Sequence, residues 1–157
     1  MKTITILLTI LITFASCKCQ KKTIENSTET STNSQKVAMD VKYVYEANTR
    51  GYFQKIVIEN QQVFVVSDRN SKELGTGTKI KDSDFKELNN YLNSIKLDDL
   101  ATYKDPTQKR FYDGAAIANL KIISNGKEYT TMSFDNGFPP IEIEKLVNKI
   151  TSFVKKE

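Results

Sequence analysis

The stretch Ala115–Phe134, AAIANLKIISNGKEYTTMSF, decides the fold that this chain is expected to adopt. Its centre is Asn125-Gly126, the dipeptide that most strongly favours a tight turn between antiparallel strands. Apolar residues recur at every second position, the period of a strand with one buried face. The stretch therefore predicts a β-hairpin of strands 115–124 and 127–134. The predicted faces carry Ala118, Leu120 and Ile122 on the first strand and Thr130, Met132 and Phe134 on the second.

Amphipathic helices are predicted on both sides of this hairpin. Upstream, apolar residues at i, i+3, i+7 and i+10 share one face of a helix that Asp82 or Ser83 can cap. These residues are Phe85, Leu88, Leu92 and Ile95. Downstream, Pro140 suits the first turn of a second helix. Its apolar stripe consists of Ile143, Leu146, Val147, Ile150 and Val154.

Further strands are predicted before the first helix. Residues 41–46 alternate between two faces, residues 52–59 form a second strand after a turn, and Val63–Val66 is almost wholly apolar, which favours a central strand. Residues 75–80 add a short fourth strand that contains two glycines. The order strands, helix, hairpin, helix predicts an α+β domain, with an antiparallel sheet of about five to six strands and two helices packed on one face.

The first 36 residues differ in composition from the rest. Residues 3–16 are uncharged and follow Lys2, which is typical of a secretory signal peptide and too short for a membrane span of about 20 residues. Residues 18–36 contain no aromatic residue and only Ile24 as an aliphatic one, so they predict a disordered tether. The expected organisation is a signal peptide at 1–16, Cys17 with the tether at 17–36, and one α+β domain at 37–157.

The residues before Cys17 carry a resemblance to a known class of proteins. Phe14, Ala15, Ser16 and Cys17 resemble the lipobox of bacterial envelope lipoproteins, in which Leu is usual at the position of Phe14. The resemblance implies cleavage before Cys17 and acylation of this cysteine by two or three chains, with palmitate as an expected acyl group. Two chains are enough for stable anchoring. The protein would then be exported and held by membrane lipid, on the periplasmic or surface face of the cell envelope.

The domain also resembles a family of uncharacterised domains of bacterial envelope lipoproteins. This resemblance covers roughly residues 50–154 and rests on the order of the elements, on Leu100–Tyr103, and on Phe134–Pro140 before the last helix. The family brings no established activity. The resemblance therefore implies a fold and a location but no functional residue.

Composition excludes several classes of function. The net charge is +4 over 157 residues, with the two signs mixed, which gives no basic field for nucleic acid. Histidine, the commonest general base and metal ligand, is absent. If Cys17 is acylated, Cys19 is the one remaining thiol and no intramolecular disulfide can form. No phosphate-binding or nucleotide-binding motif occurs, so we expect no catalytic residue, no cofactor and no metal.

Two sets of loop residues remain as candidates. Arg110, Phe111 and Tyr112 lie in a long polar loop and Phe138 follows the hairpin, and such residue types dominate interface hot spots. Alternatively, these aromatic side chains fold back and close the ends of the core. The second set comprises aspartates near predicted loops, whose oxygens are suited to calcium or to acid-base chemistry. They are Asp98, Asp99, Asp105, Asp113 and Asp135.

The expected function is that of a non-enzymatic binding or accessory lipoprotein, anchored through Cys17, that meets a protein or glycan of the envelope. One alternative is an enzyme that acts through loop carboxylates, with calcium as an option. The other is an inhibitor-like module that inserts an aromatic loop into a partner. A convergent acidic cleft would favour the enzyme, whereas a protruding aromatic loop would favour binding or inhibition.

Overall fold

A seven-stranded antiparallel sheet forms the centre of the computed structural model, which describes residues 40–154. Across the sheet the strand order is β4-β3-β2-β1-β5-β6, and β7 also pairs with β5. The strands are β1 (Val41–Asn48), β2 (Phe53–Glu59), β3 (Gln62–Val66), β4 (Thr78–Lys79), β5 (Ile117–Ser124), β6 (Lys127–Thr130) and β7 (Phe134–Asp135). The helices are α1 (Asp82–Asn93) and α2 (Glu144–Ser152), with 3₁₀ helices at Leu97–Thr102 and Lys109–Tyr112.

This architecture confirms the predicted α+β class. The predicted signal peptide, Cys17 and the tether lie outside the described residues. Within residues 40–154, no helix is both long and apolar enough to cross a bilayer.

The inner face of the sheet forms the core with both helices. Tyr43 lies opposite Ile58 on one side and Ile122 on the other, and this alternation continues along β1. Each fully buried aliphatic or aromatic side chain contributes about 1.5–3 kcal/mol relative to an exposed one. The helices supply Leu88 and Leu92 from α1 and Leu146, Val147 and Ile150 from α2, all buried in the same cluster. The predicted placement of two helices on one face is therefore correct.

The predicted hairpin is present, but its second strand is interrupted. Asn125 and Gly126 both have positive φ (51° and 78°), as a type I′ turn requires. Lys121 pairs with Thr130 and Ala118 with Phe134, so four steps on the second strand match three on β5. This extra residue is a β-bulge, which shifts the alternation of side chains.

The bulge explains an error in the predicted buried face. Phe134 is fully buried as expected, but Thr130 is exposed and the side chain of Met132 is 65% exposed. Thr131 is buried instead, and its hydroxyl oxygen accepts a hydrogen bond from the Leu120 N–H at 3.0 Å.

Three local predictions about the other elements are also wrong. Lys81, not Asp82 or Ser83, occupies the N-cap position of α1, and the carboxylate of Asp82 accepts a hydrogen bond from Gln61 Nε2 (2.6 Å) instead. The second helix begins at Glu144, four residues after Pro140. Strand β3 is not central, because its outer neighbour β4 has only two residues and leaves Val65 40% exposed.

The two ends of the sheet carry different loops. Asp40, through which residues 1–39 join the domain, accepts a hydrogen bond from the Asn125 N–H (3.3 Å), so the hairpin turn lies at the same end. We call this the entry end. Strand β1 has eight residues and carries the chain about 23 Å from there, at about 3.3 Å per residue. At the opposite end, the far end, lie residues 49–52, the start of the β3–β4 loop, and residues 107–116.

Candidate functional site

A buried aspartate organises the far end. Asp135 on β7 is 0% exposed, and both of its carboxylate oxygens accept hydrogen bonds from the loop before β5. Its Oδ2 accepts from the hydroxyl of Thr107 and from the backbone N–H of Lys109, both at 2.5 Å. Its Oδ1 accepts from the backbone N–H and from Nη1 of Arg110, both at 3.0 Å. One carboxylate thus fixes four donors of the loop.

Arg110 joins this carboxylate to a second one. Its Nη1 also lies 2.7 Å from Oδ2 of Asp105, and only 10% of the Arg110 side chain is exposed. We call Asp105, Thr107, Arg110 and Asp135 the Asp135 network. The sequence suggested Arg110 as a partner-binding residue, but in the structure its guanidinium lies beneath the surface and holds the loop.

The electrostatics of the network follow from these contacts. Burial alone would raise the pKa of Asp135, but hydrogen bonds from Thr107, Arg110 and Lys109 outweigh it and lower the pKa from 3.8 to about 2. The hydrogen bond to Asp105 is the main cause that raises the pKa of Arg110, and Asp135 adds to it. Both groups are therefore charged at neutral pH.

Phe111 and Tyr112 project from this braced loop into solvent. Each side chain is 71% exposed, so the alternative in which they close the core is wrong. The guanidinium carbon of Arg110 lies 4.5 Å from the centroid of the Phe111 ring, within the range of a cation–π contact. A Cβ atom added to Gly114 would lie 2.8 Å from the Tyr112 ring, so a side chain at this position would displace that ring.

Phe138 belongs to the same surface. Its N–H donates to the backbone oxygen of Asp135 (2.8 Å), and its side chain is 40% exposed. Lys109 Nζ lies 3.7 Å from the centroid of the Phe138 ring, which joins the two loops. We call Lys109, Phe111, Tyr112 and Phe138 the far-end aromatic surface. Three of the four predicted partner-binding residues thus lie on it, and Arg110 lies under it.

A cleft of about 330 Å³ opens beside this surface. Sequence reasoning missed it, because its walls come from three separate parts of the chain that meet only when Asn48 pairs with Ile117. The presence of Arg50 and Arg69 in two predicted turns was the one available signal. We call this cavity the arginine cleft; it is lined by Asn48, Thr49, Arg50, Arg69, Arg110, Asp113, Ala115 and Ile117.

The loop aspartates do not form one acidic cluster. Asp105 and Asp135 converge, but on Arg110, which neutralises them. Asp113 lines the arginine cleft, and Asp98 forms an exposed ion pair with Lys127 at 2.7 Å. Among residues 40–154, no three carboxylate, histidine or cysteine side chains are grouped closely enough to hold a metal ion. The described residues thus offer no particular support for the carboxylate-enzyme alternative.

No protein-family model, curated protein or solved structure matches this chain. The resemblances to envelope lipoproteins therefore stay predictions. The functional argument rests on the geometry of the far end.

Proposed function

We propose that this protein is a lipid-anchored lipoprotein of the bacterial cell envelope whose domain binds a partner through the far-end aromatic surface. The observation that carries the proposal is the 71% exposure of Phe111 and Tyr112 on a loop that the Asp135 network holds in place. Single exposed apolar residues are ordinary on any protein. Two adjacent exposed aromatic residues, held by a buried charged network, are better suited to recognition.

The fixed loop favours binding energetically. Ordering a mobile loop on association reduces affinity, with a cost of about 0.5–1.5 kcal/mol for each immobilised side chain. In this loop the backbone N–H groups of Lys109 and Arg110 are already bonded to Asp135. Phe and Tyr also have only two side-chain torsions each, so they lose little freedom on binding. Most of the hydrophobic free energy gained when a partner buries these two side chains would therefore contribute to affinity.

The position of the surface agrees with a tethered protein. Residues 1–39 join the domain at the entry end, and the aromatic side chains lie at the far end, to which β1 carries the chain over about 23 Å. With acylated Cys17 in the membrane, the domain would present this surface away from the point where the tether joins it. Such a geometry suits a protein or glycan of the envelope. Insertion of the same side chains into the cleft of a partner enzyme is the inhibitor-like form of this proposal.

Site-specific cross-linking in cells tests the proposal. A photoreactive phenylalanine analogue replaces Phe111 in the full-length protein, and the matched control carries it in place of Glu128, an exposed residue of β6 near the entry end. We expect a discrete cross-linked product from position 111 and none from position 128. The double variant Phe111→Ala with Tyr112→Ala should lose the partner while its free energy of unfolding changes by less than about 1 kcal/mol, because both side chains are exposed.

Two outcomes would contradict the proposal. One is equal cross-linking from both positions, which would indicate contact without selectivity. The other is a loss of several kcal/mol in the double variant, since only buried aromatic side chains cost that much on truncation.

A further inference from the structure

All three arginines of the chain line the arginine cleft, and no lysine among residues 40–154 does. Arg50, Arg69 and Arg110 come from three loops that are distant in sequence. Arginine differs from lysine in its planar fork of donors, which matches a carboxylate with two parallel hydrogen bonds. The concentration of this residue type at one cavity indicates recognition of an anion.

Two of these arginines are available to a ligand. Arg110 contacts Asp105 and Asp135. Ion pairs with a carboxylate are also formed by Lys42, Lys121, Lys127 and Lys149. Arg50 and Arg69, by contrast, have no carboxylate within 4.0 Å among residues 40–154. Both therefore keep the charge and most of the donors with which a guanidinium binds an anion.

Arg69 is also held in a fixed orientation. Its Nη2 donates to the backbone oxygen of Thr49 at 2.5 Å, and its guanidinium carbon lies 5.8 Å from the centroid of the Phe53 ring. Nε and Nη1 are left for a ligand. A guanidinium oriented in advance loses less side-chain entropy when it binds.

The other walls favour a ligand that carries a single negative charge next to apolar atoms. Asp113 adds a carboxylate to the cleft, which repels a doubly charged phosphate more than a singly charged carboxylate. Ala115 and Ile117, the latter 43% exposed, offer apolar contact to an aliphatic chain. A carboxylate on a short aliphatic stem, as in a glutamate side chain or a peptide C-terminus, fits these features.

We propose that the arginine cleft binds a single peptide carboxylate through Arg50 and Arg69, and so selects an acidic or C-terminal segment of the partner that contacts the far-end aromatic surface. This inference rests on the proposed function, because it describes the partner of that surface. It narrows the partner from a protein or glycan to a protein.

Arginine side-chain NMR of the full-length protein in detergent tests the cleft directly. With labelled arginine, three Nε–H signals are expected, one for each arginine. Four probes are titrated: a capped tripeptide with a central glutamate, its glutamine counterpart, an uncapped tripeptide with no acidic side chain, and inorganic phosphate. We expect saturable shifts of the Arg50 and Arg69 signals with a carboxylate peptide and none with the glutamine peptide. The Arg110 signal, held by Asp105 and Asp135, should move less.

The peptide probes distinguish a side-chain carboxylate from a C-terminal one. Binding of the glutamate peptide alone indicates a side chain, binding of the uncapped peptide alone indicates a C-terminus, and binding of both supports the shared chemistry. Binding of neither overturns the proposal. So does a glutamine peptide that binds equally well, or phosphate that binds more tightly.

Charge variants identify the residues and keep the test independent of folding. Arg50→Gln, at an exposed turn position whose side chain makes no ion pair or hydrogen bond among residues 40–154, should weaken binding of the peptide about tenfold, because it removes a charged donor to the carboxylate. The matched control Lys79→Gln removes an exposed positive charge from β4 and should leave affinity unchanged. If both variants weaken binding equally, the effect comes from the net charge of the protein, and the proposed site is refuted.

The proposed function and this inference fail separately. The double variant Phe111→Ala with Tyr112→Ala should still bind the carboxylate peptide, because neither residue lines the cleft. Cross-linking from position 111 without peptide binding would retain the partner and refute its carboxylate. Peptide binding without cross-linking would retain the carboxylate site and refute the proposed partner of the far-end aromatic surface.

Discussion

The substitution Asp135→Asn gives the sharpest test of how the far end is held together. The amide has almost the volume of the carboxylate, but one acceptor oxygen becomes an NH₂ donor and the negative charge is lost. Whichever way the amide turns, its NH₂ faces donors: the N–H of Lys109 and the hydroxyl of Thr107 on one side, or two groups of Arg110 on the other. At least one backbone N–H group therefore loses its partner.

The magnitude follows from the burial of the pair. Removal of one partner of a buried ion pair costs about 3–5 kcal/mol, because the other charge stays buried. Asp105 remains 2.7 Å from Arg110 and offsets part of this, so we expect a loss near the lower limit, about 3 kcal/mol. Domains of this size have a free energy of unfolding of about 5–15 kcal/mol, so the variant should still fold.

Urea unfolding and limited trypsin digestion measure the two consequences. We expect a lower free energy of unfolding and faster cleavage after Lys109 and Arg110, which the released loop would expose. The matched control Asp98→Asn removes a carboxylate that is 81% exposed in its pair with Lys127, and should change stability by no more than about 0.5 kcal/mol. If both variants lose the same free energy and are cleaved at the same rate, Asp135 does not organise the loop.

Three further predictions address acid, the membrane and the loop. The pKa of Asp135 is lowered from 3.8 to about 2 by folding, so its contribution is complete above pH 3.8 and is lost as the pH falls towards 2. At about 1.36 kcal/mol per unit this amounts to about 2 kcal/mol, and unfolding measured against pH should show that this acid-dependent part is missing in Asp135→Asn. Cys17→Ala should abolish acyl labelling and move the protein from the membrane fraction to the soluble one; labelling that persists would identify another acceptor. Gly114→Ala should displace the exposed Tyr112 ring and reduce cross-linking from position 111, with a change in stability below about 1 kcal/mol. Gly51→Ala, where the added Cβ meets nothing within 4 Å, is its control, and equal effects of both would contradict the role of Tyr112.

The elements that sequence reasoning predicted are those whose signals are local. The Asn125-Gly126 turn, the alternation on β1 and the helical spacing of Leu88 and Leu92 each arise within about ten residues of chain. Hydrophobic periodicity fixes such elements because one face has to be buried. The class of the fold then follows from their order.

The features that it missed depend on partners elsewhere in the chain. The exposure of β3 depends on its outer neighbour β4, which has only two residues because little of the chain after β3 pairs with that strand. The burial of Arg110 depends on Asp135, which is 25 positions away. The arginine cleft depends on the antiparallel register of β1 against β5, which brings Asn48 to Ile117. None of these pairings leaves a period or a motif in the sequence.

The β-bulge before β7 has a consequence for neighbouring Phe134 and Asp135. Both are 0% exposed, although successive residues of a strand point to opposite sides. Phe134 therefore lies in the hydrophobic core, and Asp135 contacts the loop. If β7 continued the register of Lys121–Thr130 without the extra residue of the bulge, Phe134 would lie opposite Ile117 instead of Ala118, and the directions of Phe134 and Asp135 would be exchanged. The carboxylate would then be driven among aliphatic side chains and the phenyl ring would face the donors of the loop. The one extra residue of the bulge thus keeps the phenyl ring of Phe134 in the core and the carboxylate of Asp135 at the loop.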